Sequence, residues 1–123
     1  GNFVNTDILG SMEYACKVAG SKLVFVLGHE KCGAVSSACD HVELGNITAM
    51  LENIKPAMKL VKTKGEENSK NAEYVQAVVE KNVQLNIDRI RKESPILKEL
   101  EDLGEIKIVG GVYFLKSGKI KMI

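Results

Sequence analysis

Apolar residues recur along the chain at two periods, and the change from one to the other separates helices from strands. Between residues 7 and 19, Ile8, Met12, Ala15, Cys16 and Ala19 fall three and four apart, which predicts one apolar helix face, and Gly20 supplies a stop. Leu23, Val24, Phe25, Val26 and Leu27 then run together without polar alternation. Such a β-branched and aromatic run predicts a strand covered on both faces, as in a parallel sheet. Residues 28–33 read as a short loop, after which Ala34, Val35, Ala38, Cys39 and Val42 resume the helical period. Residues 47–61 form a further amphipathic stretch in which Pro56 starts a helix afresh, because proline suits a first turn better than an interior. Residues 62–71, with Gly65 and several charges, read as an exposed loop.

The longest helical signal covers residues 72–92, with Val75, Val78, Val79, Asn82, Val83, Ile87 and Ile90 on or near one stripe. Ser94-Pro95 matches an N-cap followed by proline at the first helical position, and Ile96, Leu97, Leu100 and Leu103 give a short apolar face before Gly104. Residues 106–109 read as a second strand, Gly110-Gly111 as a tight backbone, and residues 112–115 as the start of a third strand. Ser117-Gly118 turns that strand into residues 119–123, an edge hairpin. The whole predicts a single α/β domain over residues 1–123: a central, largely parallel sheet flanked by helices, with a C-terminal edge hairpin.

Length and composition agree with one folded domain. The chain has 123 residues, 45% apolar and 27% charged, enough for a core and too few for two domains. Seventeen basic and sixteen acidic side chains leave a formal charge of +1, so electrostatics gives no reason to expect nucleic acid or an anionic membrane as partner. The apolar run at residues 23–27 falls far short of the roughly 20 residues of a membrane-spanning helix. Residues 1–30 show no basic segment followed by an apolar stretch of the secretory type. Cys16, Cys32 and Cys39 form an odd, sparse set, read as reduced thiols, and a cytoplasmic location is expected.

Candidate chemistry sits in the loop after the apolar strand. Ligands of open parallel sheets bind outside the carboxyl ends of strands, and His29 and Cys32 leave such an end. Imidazole nitrogen and thiolate sulfur are the usual donors to zinc, and two intervening residues allow both to reach one ion. The same spacing also suits a polar loop with a buried thiol. A catalytic zinc needs three protein donors and an open position. Cys39 lies seven residues on, a helical rise of about 10 Å, too far to share an ion with Cys32. Cys16 belongs to an apolar face and His41 to a helix end beside Asp40, where a core thiol and a surface or capping residue are expected. Arg89 and Arg91 are expected to be solvated or paired with Asp88 and Glu93, and Tyr14, Tyr74 and Tyr113 to pack with their hydroxyls near the surface.

Beyond these physical readings, the sequence resembles the β-class carbonic anhydrases over essentially its whole length. Val26-Leu27-Gly28-His29 through Cys32-Gly33-Ala34-Val35 is similar to the family's core motif. Gly1-Asn2 resembles the end of its Arg-Asn-Ala-Gly-Asn segment, and Ser11-Met12-Glu13-Tyr14-Ala15 its Ser-Leu-Glu-Tyr-Ala helix. Asn82-Val83, Ser94-Pro95, Gly110-Gly111-Val112-Tyr113 and Ser117-Gly118 follow in the family's order, although Phe114 stands where members often carry aspartate. The resemblance implies a Zn2+ cofactor held by His29, Cys32 and a second cysteine from a Cys-x-Asp-x-Arg motif whose aspartate and arginine serve catalysis. It implies that the metal lowers the pKa of bound water, so that hydroxide attacks carbon dioxide and bicarbonate leaves. It further implies a homodimer or higher homo-oligomer. The Cys-x-Asp-x-Arg motif does not occur in residues 1–123. The resemblance therefore implies a carbonic anhydrase cut before its first ligand, metal-poor or inactive as it stands and without catalytic residues of its own. A zinc-free binding or assembly module, or a hydrolase of carbonyl sulfide or carbon disulfide on the same fold, are the competing expectations.

Overall fold

A computed structural model describes all 123 residues. Helix α1 (Thr6–Glu13) starts at Asn5, whose side chain accepts the N–H of Ile8, and runs into a five-residue π-helical turn, Tyr14–Val18. The expected single α-helix over residues 7–19 is thus wound more widely in its second half, which leaves Leu9 and Cys16 as its buried residues and Ile8 and Tyr14 exposed. Gly20 ends it at φ +82°, a left-handed conformation that glycine adopts without steric cost.

Strand β1 (Leu23–His29) pairs in parallel with β2 (Lys107–Phe114), and β2 pairs antiparallel with β3 (Lys119–Met122), giving the order β1-β2-β3. The α/β class, the parallel pairing and the C-terminal edge hairpin are as expected from the sequence. Two details differ. Lys107–Phe114 is one strand, because Gly110 and Gly111 do not break it; they admit neighbours. A Cβ at Gly110 would lie 2.6 Å from both Ile87 Cδ1 and Val83 Cγ1, so glycine lets the long helix settle on the strand. The run at residues 23–27 is also buried on one face only. Val24, Val26 and Gly28 face inward, whereas Leu23 and Leu27 are 53% and 43% exposed.

Between β1 and β2 lie five helices: α2 (Gly33–Cys39), α3 (Gly45–Leu51), α4 (Lys55–Leu60), α5 (Ala72–Glu93) and α6 (Pro95–Asp102). Pro56 sits in the first turn of α4, residues 62–70 form an exposed or half-exposed loop, and Asn71 caps α5. Ser94 closes α5 and caps α6 by accepting the N–H of Leu97 at 3.2 Å. α5 is the keystone: Val75, Val78, Val79, Val83, Ile87 and Ile90 fill the core against β1, β2, α2, α4 and α6. Its outer side carries Arg91, which clamps Glu101 of α6 through two nitrogens at 2.9 Å, with Asp88 at 4.0 Å; Arg89 pairs with Glu93 at 3.4 Å. The pairing with Glu101 joins residues of two predicted helices and could not be seen from spacing within one. Of the tyrosines, Tyr74 is buried and Tyr113 half-buried, while Tyr14 is 64% exposed and does not pack.

Candidate metal centre

The end of β1 fixes the first donor. His29 is the last residue of the strand, in register with Tyr113 of β2, and not part of the loop as expected. Just beyond it the Glu30 N–H donates to the Tyr113 carbonyl at 2.9 Å, and the Glu30 carboxylate accepts the Lys116 N–H at 3.1 Å. The turn is therefore tied to the β2–β3 hairpin on both its backbone and its side chain. His29 Nδ1 lies 2.9 Å from the Glu30 carbonyl oxygen. A carbonyl only accepts, so this bond requires the proton on Nδ1 and leaves Nε2 with a free lone pair, the arrangement of a metal-binding imidazole.

The second donor follows at once. Lys31 takes a left-handed conformation, φ +54°, and reverses the chain so that Cys32 becomes the N-cap of α2, its carbonyl accepting the Ser36 N–H at 2.9 Å. Cys32 is 3% exposed. Burial pushes its thiol pKa up, but the hydrogen bond from the Gly1 amino group at 2.9 Å, the N–H of Val35, the charge of that amino group and the N–H of Ala34 outweigh burial, leaving the thiol below its ordinary range. A buried sulfur surrounded by donors is poised to ligate as thiolate.

The other sulfurs behave differently. Cys39, at the end of α2, is buried and pushed up to about 11 by desolvation and then by the charge of Asp40, and desolvation also raises Cys16. Both are core thiols, as the sequence suggests. His41 is exposed at φ +54° just past α2, its N–H donating to the Ala38 carbonyl at 3.0 Å, a helix-end residue as expected. No group of three or more His, Cys, Asp or Glu side chains gathers to hold a metal. His29 and Cys32 thus fit zinc in donor chemistry, one donor short of the three protein ligands that a catalytic zinc needs. The largest cavity, about 640 Å³, is lined by Glu30, Lys31, Ser36, Glu73 and Phe114 among others, but by neither donor.

The sequence marks Gly1-Asn2 only by family resemblance and gives residues 1–4 no physical role, whereas the structure does. Gly1 reaches Cys32, and the Asn2 carbonyl accepts the side-chain amides of Asn82 and Asn86 of α5 at 2.6 and 3.1 Å. The signal was present: asparagines on the apolar stripe of a long helix need buried partners.

Comparison with known proteins agrees with this fold and loop. The family model described as "Carbonic anhydrase" matches residues 1–120. Carbonic anhydrase 2 of Mycobacterium tuberculosis is 31% identical over 97% of this chain and 57% of its own length. A carbonic anhydrase of Mycolicibacterium smegmatis is 28% identical over 99% of this chain and 59% of its own. The chain thus spans little more than half the length of these relatives. Among solved structures, the β-carbonic anhydrase CcaA superposes with a TM-score of 0.80 at 19% identity, covering 97% of this chain and 59% of that one. A tetrameric β-carbonic anhydrase of Sordaria macrospora gives 0.79 at 18% identity, covering 99% and 62%. With a family model matched across nearly every residue and the same fold in these structures, the chain belongs to the β-class carbonic anhydrase family.

Proposed function

We propose that the chain carries part of the active site of an enzyme that reversibly hydrates carbon dioxide to bicarbonate, with His29 Nε2 and Cys32 Sγ as zinc ligands. The observation that carries this reading is the free Nε2 of His29, oriented by the Glu30 carbonyl, followed three residues later by the buried thiol of Cys32 at the start of α2. When bound, zinc would supply Lewis acidity and bring the ionisation of water into the neutral range. The chain's own residues have other tasks: Glu30 orients the imidazole and anchors the turn to the hairpin, and the inward packing of Gly28 and Cys32 keeps bulk water from the sulfur. Family membership supports the substrate.

A third ligand, the second thiolate of the site, completes it in this reading together with the aspartate and arginine of the Cys-x-Asp-x-Arg motif, and that motif is not among the 123 residues. We therefore expect residues 1–123 to bind zinc weakly and to hydrate carbon dioxide poorly. Zinc stoichiometry and hydration rate are to be measured on this chain and on a longer one carrying such a motif. In the longer chain, Cys32→Ser and His29→Ala should each remove most of the metal and reduce hydration at least ~100-fold. Retention of metal and rate in both variants would overturn the ligand assignment. A metal-free longer chain would favour a zinc-free assembly module instead, and faster turnover of carbonyl sulfide than of carbon dioxide the hydrolase reading.

The partner is inferred to be a second copy of the chain. Leu23, Leu27, Ile120 and Met122 lie on the face of the sheet turned away from α5 and are 43–55% exposed, a contiguous apolar surface of the kind that marks association. No helix is long and apolar enough to cross a membrane. Three unpaired thiols suit a reducing compartment, which supports a cytoplasmic location.

A further inference from the structure

The most heavily bonded buried polar group in the molecule lies beside the metal loop and has no part in holding metal. Asn82 and Asn86 stand one turn apart on α5, each 1% exposed. The Asn82 amide donates to the Asn2 carbonyl at 2.6 Å, and the Asn86 amide donates to the same carbonyl at 3.1 Å and to Asn82 Oδ1 at 3.2 Å. Asn86 Oδ1 in turn accepts the Val4 N–H at 3.1 Å. The two asparagines therefore grip mainly the main chain of residues 2 and 4, with a longer bond from the Asn82 amide to Asn2 Oδ1 at 3.4 Å. Asn2 Nδ2 is itself buried without a partner, so the Asn2 side chain adds little to the grip.

What the grip holds in place is a strap. Val4 is 5% exposed, and the Asn2 side chain rests near Gly28, where a Cβ would lie 3.6 Å from Asn2 Oδ1 and only 2.8 Å from Val83 Cγ2. Gly1 packs against Ile54 and Ala34, and its nitrogen reaches Cys32 Sγ at 2.9 Å. Residues 1–4 so pass from α5 across the end of β1 to the sulfur. An apolar residue at position 82 would fill the same core volume but remove the shorter of the two bonds to the Asn2 carbonyl, and one at position 86 would remove the other and leave the Val4 N–H buried without its acceptor, which is costly.

We propose that Asn82 and Asn86 are positioning residues that fasten residues 1–4 over Cys32, so that two amides of α5 control access to the thiol end of the metal loop. The proposal uses the assignment of Cys32 as a zinc ligand only for its functional consequence, and its test is made without metal, so the two fail separately. The chain, its Asn82→Ala variant and its Asn86→Ala variant are treated with iodoacetamide in the presence of a chelator at pH 9, and alkylation is followed at each cysteine by mass spectrometry. Loss of the grip should speed alkylation of Cys32 about tenfold through local opening, while Cys39, buried in the core beneath α2, changes less than about twofold. Unchanged alkylation of Cys32 would overturn the proposal, and so would a rise at Cys32 and Cys39 together, since the asparagines would then support the fold as a whole. A second measurement needs no variant: hydrogen exchange in the unaltered chain should show the Val4 amide protected at least about tenfold over that of exposed Asn5, and exchange at the rate of Asn5 would equally reject the strap.

Discussion

The two faces of the sheet are built on opposite terms. Toward α5, Val24, Val26, Ile108 and Val112 are at most 8% exposed, and glycines at positions 28 and 110 draw the helix so close that a methyl group would collide with it. On the far face Leu23, Leu27, Ile120 and Met122 keep about half of their surface in water. Apolar residues thus have different energetic roles on the two faces: on one side each methyl displaces water and touches neighbours, and on the other it stays largely in water. The candidate metal loop follows the first face, because His29 and Cys32 are held by the end of β1 and the start of α2, both of which pack on α5.

Truncating one residue on each face gives the sharpest contrast. Ile90 is fully buried at the junction of α5, α6 and the edge of β1, and Ile90→Ala should cost about 2–5 kcal/mol of unfolding free energy, the removed methyl groups leaving a cavity that the packed helix cannot close. Leu23→Ala should cost at most about 0.5 kcal/mol. Denaturant unfolding of both variants at one low protein concentration measures the difference, and equal losses would mean that the far face is as well packed as the near one.

The next effect tests close approach rather than truncation. Gly110→Ala places a methyl group 2.6 Å from Ile87 Cδ1 and Val83 Cγ1, and the helix must shift or the side chains leave their rotamers at a cost of about 1–3 kcal/mol. Gly33→Ala is the control, since a Cβ there meets nothing within 4 Å. Thermal unfolding should separate the two by several degrees. A Gly110→Ala variant as stable as the control would mean that α5 does not depend on this glycine for its distance from the sheet.

Much of this arrangement was legible in the sequence, and what was not has identifiable physical causes. Periodicity located α5, and cap chemistry located the break at Ser94-Pro95, because both signals are local to a few residues. The Gly110-Gly111 pair reads from sequence as a tight backbone between two strands, whereas it lies within one: a glycine needed for conformational freedom and one needed for close approach look alike until the opposing helix is in place. Burial on both faces was likewise inferred for β1 from its composition, although composition reports what a strand can bury and not what covers it. At the candidate metal loop, spacing singles out His29 and Cys32, but the bond between His29 and the Glu30 carbonyl and the burial of Cys32 are tertiary facts. Asn82 was visible on the apolar stripe, yet its partner lies 80 positions away and no pattern of period 3.6 points to it.

The smallest effect on folding should accompany a clear effect on assembly. Ile120 is 47% exposed on β3, opposite Tyr113, on the face turned away from α5. Ile120→Thr keeps the β-branched shape that a strand favours while adding a hydroxyl, so the isolated chain should change by less than about 0.5 kcal/mol. In a face-to-face pair of chains that hydroxyl would be buried without a partner, at a cost of about 1–3 kcal/mol for each copy, which weakens association by roughly tenfold or more. Light scattering over a range of concentrations should show the unaltered chain associating and the variant dissociating at higher concentration. A chain that stays monomeric throughout would remove the second copy as the partner of this face. Association unaffected by Ile120→Thr would place the interface elsewhere and leave the contrast between the two faces as one of exposure alone.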